Sequence, residues 1–77
     1  MKAIMYGTPK CLWCDRVTTM LNNSEIEVEK IDVSESKENL KLMKEVAGKT
    51  TTPVPQVVID GNFVGGYTEV ERFINRL

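Results

Sequence analysis

Lys2-Ala3-Ile4-Met5-Tyr6-Gly7-Thr8-Pro9-Lys10-Cys11-Leu12-Trp13-Cys14 is the stretch from which the fold of this chain can be worked out. A short apolar run over residues 2–6 is ended by Gly7-Thr8-Pro9, and Cys14, Val17 and Leu21 then recur at helical spacing until Asn22-Asn23. A strand is thus predicted to hand over to a helix, with Cys11 at the helix N-terminus. The two cysteines are the only ones in 77 residues.

Outward from this junction, residues 26–32 are rich in β-branched side chains and predict a second strand. Ser34 or Ser36 can cap a following helix with apolar positions Leu40, Met43, Val46 and Ala47, and Gly48 is a natural stop for it. Residues 56–59 predict a strand, Asp60-Gly61 a hairpin turn and residues 62–64 an antiparallel return, after which Gly65-Gly66 breaks the sheet. Thr68-Glu69-Val70-Glu71 has the form of a capping box, and Val70, Phe73, Ile74 and Leu77 follow at i, i+3, i+4 and i+7. The order β-α-β-α-β-β-α implies an α/β fold. Its first two strands are parallel, its hairpin is antiparallel, and helices cover the faces of a small mixed sheet.

So short a chain holds one domain, residues 1–77. Its net charge of −1 supplies no basic field for a phosphate backbone, so nucleic acid is not an expected partner. The N-terminal apolar run is too brief for a signal-peptide core, and nothing approaches the roughly 20 apolar residues of a membrane span. A soluble monomer of a reducing cytoplasm is expected.

Three chemistries compete for Cys11 and Cys14. Tetrahedral zinc wants four ligands, yet the chain has no histidine and no third cysteine. A purely structural disulfide closing so short a loop removes little unfolded-state entropy. Thiol–disulfide exchange fits best, because one thiolate attacks a substrate disulfide and a second must lie close enough to resolve the mixed disulfide. Cys11 is the expected attacker, since a helix N-terminus and the adjacent Lys10 stabilise its thiolate. Cys14, one turn deeper, suits resolution. Further along, a proline directly before a predicted strand makes sense if Val54-Pro55 is cis and presents the Val54 main chain as an edge for a peptide-like ligand; the plainer alternative is a proline-rich loop.

Tyr6-Gly7-Thr8-Pro9-Lys10-Cys11-Leu12-Trp13-Cys14, then Val54-Pro55-Gln56, then Gly65-Gly66-Tyr67-Thr68, in this order and spacing, resemble a glutaredoxin of the compact dithiol type found in phages and bacteria. The resemblance covers essentially the full length. It implies a thioredoxin-like fold, a four-stranded mixed sheet flanked by three helices, and a glutathione-dependent oxidoreductase that reduces protein disulfides and glutathione mixed disulfides. Ribonucleotide reductase is a natural client by the same analogy. Cys11 matches the family's nucleophile and Cys14 its resolving thiol. Val54 would offer main-chain hydrogen bonds to the cysteinyl part of glutathione, Pro55 would be the cis proline, and Gly66, Tyr67 and Thr68 would hold the γ-glutamyl end. No metal is required.

The chain departs from the family pattern at three places. Leu12-Trp13 replaces the common Pro-Tyr, and Trp13 supplies a flat surface for the glutathione sulfur or a protein substrate. Thr8 stands where a basic residue is common, with Lys10 as a substitute, and Pro53 precedes Val54. Thr8 keeps open a redoxin fed by thioredoxin reductase. A different alternative is an iron–sulfur module in which two chains each contribute Cys11 and a bound glutathione. Arg16, Lys49 and Arg72 are candidate contacts for the glycyl carboxylate of glutathione or for a protein partner, and of these Arg16 and Lys49 are the ones kept, since charges on small domains mostly serve solvation. Glu25, Glu27, Glu29, Asp32 and Glu35 form an expected solvated acidic surface, and Met5, Met20 and Met43 fill the core.

Overall fold

The computed structural model describes residues 1–48 and 54–77. Seven elements follow the expected order: β1 (Lys2–Gly7), α1 (Leu12–Asn23), β2 (Glu27–Asp32), α2 (Lys37–Ala47), β3 (Gln56–Ile59), β4 (Asn62–Gly65) and α3 (Tyr67–Asn75). The sheet order is β2-β1-β3-β4. β1 runs parallel to β2, and the β1–β3 and β3–β4 pairs are antiparallel, giving the mixed sheet of a thioredoxin-like fold. Among the described residues no helix is long and apolar enough to cross a membrane.

Strand alternation sorts the core into two layers. Ala3 and Met5 of β1 and Val57 and Ile59 of β3 join Cys14, Val17 and Leu21 of α1 and Val70 of α3 on one face. Tyr6, Val58, Val33 and Met43 of α2 form the smaller layer on the other. Burial raises the pKa of the Tyr6 phenol, with the charge of Glu29 adding to it, so Tyr6 stays neutral. Met20 is only half-buried against the larger layer, unlike Met5 and Met43. Leu77 lies beyond the end of α3 and is 64% exposed, so the apolar stripe of that helix ends at Ile74.

The turns obey local chemistry. Asp60 (φ 50°) and Gly61 (φ 82°) both adopt positive φ, the signature of a two-residue hairpin whose twist matches the strands. Gly48 ends α2 in the left-handed region. Ser36, rather than Ser34, caps α2: its hydroxyl accepts from the Asn39 N–H at 3.0 Å. Ser34 instead bonds the Asp32 carboxylate, through its hydroxyl at 2.6 Å and its N–H at 2.8 Å. Ser36→Ala is therefore expected to cost about 1 kcal/mol and to lower Tm by roughly 4–8 °C. An unchanged melting curve would show that the cap contributes nothing.

The start of α3 differs from expectation. Thr68 is not the cap; Gly66 is, and Thr68 is the second residue of the helix. Two capping patterns overlap in this sequence, and the earlier one prevails because the Glu69 carboxylate reaches back to accept the Gly66 N–H at 2.9 Å. Gly65, expected to break the sheet, is instead the last residue of β4 and pairs with Val57. The register shifts by one residue between Val57 and Val58, a bulge that turns the chain toward α3.

Candidate active site

Cys11 is the N-cap of α1, held in extended backbone (φ −129°, ψ 107°) by the turn that leaves β1. Its sulfur accepts the Cys14 N–H at 3.0 Å. The first N–H groups of a helix have no intrahelical partner and carry the positive end of the helix dipole, so Cys11 occupies the position that favours a thiolate. Cys11 and Cys14 form a disulfide across 5.1 Å between Cα atoms. Cys11 is half-buried, whereas Cys14 is 2% exposed. The half-buried outer position suits attack on a substrate, and the buried inner position, bonded to Cys11, suits resolution.

Behind Cys14 the chain is tightly fitted. A Cβ at Gly7 would lie 2.7 Å from the Cys14 sulfur, so the backbone of β1 passes directly against it. Thr18 fixes the same turn, its hydroxyl donating to the Cys14 carbonyl at 2.9 Å. A cavity of about 280 Å³ opens on this side, with Gly7, Thr8, Cys14, Asp15, Lys30 and Asp32 in its walls. The hydroxyl and then the N–H of Ser34 hold the Asp32 carboxyl below the ordinary carboxylate range.

On the other side of the motif, a groove of about 330 Å³ runs between Trp13, the Val54–Pro55 segment and the first turn of α3. The Val54–Pro55 peptide is cis. Gly66 lets the two walls approach closely, since a Cβ there would sit 3.3 Å from the Pro55 carbonyl oxygen, tighter than most side-chain contacts. Tyr67 meets Trp13 edge to face with centroids 5.0 Å apart, and both rings border the groove. Thr68 lines this groove at the start of α3, where the first N–H groups of a helix lack intrahelical partners, a setting suited to an anionic group.

Of the residues expected to bind, Trp13, Val54, Pro55, Gly66, Tyr67 and Thr68 converge on this one groove. Lys10 does not line it; that side chain is exposed on the turn before α1. Arg16 stacks on Trp13, its Cζ 5.0 Å from the ring centroid. Arg72 lies in a separate depression with Phe63 and Phe73. Lys49 and the Thr52-Pro53 approach to Val54 lie outside the described residues. Sequence reasoning missed Gln56 and Glu69, which complete the groove. Glu69 was legible: its position three residues after Gly66 is the capping-box spacing, read two residues too late. Among the described residues no group of three or more metal-ligating side chains is arranged to hold a metal ion.

The glutaredoxin family model matches residues 3–64. An uncharacterized monothiol glutaredoxin of Caenorhabditis elegans is 38% identical over 74 residues, which cover 91% of this chain and 49% of the relative. The chain thus spans about half the length of that protein. The solution structure of the Brucella melitensis glutaredoxin superposes with a TM-score of 0.77 at 29% identity, covering 99% of this chain and 80% of the other. A buckwheat glutaredoxin–glutathione complex shares the fold, with a TM-score of 0.77 at 19% identity over 96% of this chain and 68% of that one. With the Cys11–Cys14 pair and the fold that carries it, the chain belongs to the glutaredoxin family as a dithiol thiol–disulfide oxidoreductase.

Proposed function

We propose that this protein draws its electrons from glutathione and reduces glutathione mixed disulfides and protein disulfides, acting as a monomer in a reducing cytoplasm. The observation that carries the reading is the groove beside the cysteines. Glutathione has a carboxylate and an ammonium on its γ-glutamyl end. The free N–H groups of the first turn of α3 suit the carboxylate, and the Glu69 carboxylate suits the ammonium. The main chain of Val54, leading into the cis proline, offers an edge for the cysteinyl part.

In this reading, the Cys11 thiolate attacks the glutathione sulfur of a mixed disulfide. That S–S bond breaks, the other sulfur leaves as a thiolate and takes up a proton, and Cys11 is left joined to glutathione. A second glutathione thiolate attacks the bound glutathione sulfur, releasing oxidised glutathione and restoring the Cys11 thiolate. With a protein disulfide, Cys11 bonds to one client sulfur and frees the other. Cys14 then gives up its proton and attacks the Cys11 sulfur, which frees the second client thiol and closes the Cys11–Cys14 bond. Two electrons reach the client, and two glutathiones restore the dithiol. By family analogy, ribonucleotide reductase is a client of the required kind.

NADPH consumption with a small glutathione mixed disulfide tests the electron source. Turnover is expected with glutathione plus glutathione reductase. Turnover with thioredoxin reductase alone would overturn the reading and make Thr8, where the family commonly has a basic residue, the determining position.

A further inference from the structure

Trp13 is 49% exposed, so core packing does not fix its ring, yet the ring forms one wall of the groove. Two contacts hold it. Tyr67 meets it edge to face at 5.0 Å, and the Arg16 guanidinium sits over it at 5.0 Å. Arg16 does not border the groove. Together with Tyr67 it lines an adjoining depression of about 480 Å³ between α1 and α3, so Tyr67 is shared by both spaces. Arg16 lies one helical turn after Trp13 on α1, the spacing at which side chains on one helix face meet.

We propose that Arg16 is a positioning residue for substrate: stacked on Trp13, it keeps that ring against Tyr67 and so pre-forms one wall of the groove. A ring already immobilised in the free protein need not be ordered when substrate binds, so its effect falls on substrate affinity rather than on bond exchange. Arg16 therefore acts through Trp13 and makes no contact with the glycyl carboxylate of glutathione. The inference rests on the glutathione reading for its substrate, and its test separates the two.

The test compares the wild type with Arg16→Gln, Arg16→Lys, Trp13→Ala and the Arg16→Gln/Trp13→Ala double variant. The substrates are mixed disulfides of glutathione and of γ-glutamylcysteine, which lacks the glycyl residue. Arg16→Gln is expected to raise KM about two- to fivefold, the size of an exposed cation–π contact, with kcat little changed and with the same factor on both substrates. Arg16→Lys, which keeps a cation, should recover most of the loss. In the Trp13→Ala background the Arg16→Gln effect should vanish. An effect confined to the glycine-bearing substrate, or one that persists without Trp13, would overturn the proposal. Trp13 is the only tryptophan of the chain, so acrylamide quenching of its fluorescence reports the same contact without any substrate. Quenching should rise in Arg16→Gln and not in Arg16→Lys; equal quenching in all three proteins would overturn the proposal even if KM shifts. Should glutathione support no turnover in the wild type, the functional reading falls, and quenching alone still decides whether Arg16 holds Trp13.

Discussion

Cys11→Ser is expected to reduce every disulfide-exchange activity to the uncatalysed level, while Cys14→Ser loses only the reduction of protein disulfides that need a dithiol. The difference follows from where the two sulfurs sit. Cys11 is the half-buried N-cap whose sulfur accepts the Cys14 N–H at 3.0 Å. A serine hydroxyl there does not ionise near neutral pH and offers no thiolate. Cys14 is buried, and its sulfur faces Gly7 and the disulfide partner, so the electrophile placed for it is the Cys11 sulfur once that sulfur is bonded to a client. A glutathione mixed disulfide needs no such second attack, since another glutathione completes the cycle. Steady-state rates on a glutathionylated substrate and on a client disulfide, measured side by side for both variants, check the assignment. A Cys14→Ser protein inactive toward the glutathionylated substrate would contradict it.

The second large effect concerns the backbone that carries the chain from β4 into α3. Gly65 has φ +128°, a region that L side chains rarely adopt, and a Cβ there would lie 2.8 Å from Glu69 Cγ and 2.9 Å from Glu69 Oε1. Gly65→Ala therefore both strains the backbone and dislodges the carboxylate that accepts the Gly66 N–H. Strain of this kind costs about 1–3 kcal/mol, which in a chain of this length lowers Tm by roughly 5–20 °C. The groove should suffer as well, because Gly66, Tyr67 and Thr68 take their positions from this junction. Thermal unfolding of Gly65→Ala and of Gly65→Ala/Glu69→Ala separates the two causes. The double variant removes the Cγ and Oε1 contacts but keeps the 3.0 Å approach to the Cβ of residue 69 and the φ strain, so it should recover only part of the loss. A single variant as stable as the wild type would show that the junction relaxes freely.

Most of the architecture could be read from local pattern because its signals are local. Val17 and Leu21 recur at helical spacing, Asp60-Gly61 selects its own turn, and each proved to lie where the pattern put it. The cysteine pair was legible for the same reason, since a helix start and a neighbouring thiol are both properties of one short segment. The misreading came at α3, where two capping patterns overlap in sequence and the bond from the Gly66 N–H to the Glu69 carboxylate, visible only in the folded junction, decides between them. Arg16 illustrates the same limit. Its charge invited a direct role in holding a carboxylate, whereas the geometry places it on Trp13, and the meeting of Trp13 with Tyr67 is set by the packing of α1 against α3. Glu69 was visible as a cap and became a groove residue only once the β4 to α3 junction was in place.

If the groove receives the glutathione half of a mixed disulfide, Cys11 carries glutathione after one attack, and the mass of the product identifies what it carries. Reduced Cys14→Ser protein, mixed briefly with a peptide joined to glutathione through a disulfide and then quenched with acid, is analysed by intact mass. The expected product is a protein bearing one glutathione, with the peptide released as its free thiol. A protein bearing the peptide, with glutathione released, would show that the groove beside Trp13 and Tyr67 does not select glutathione.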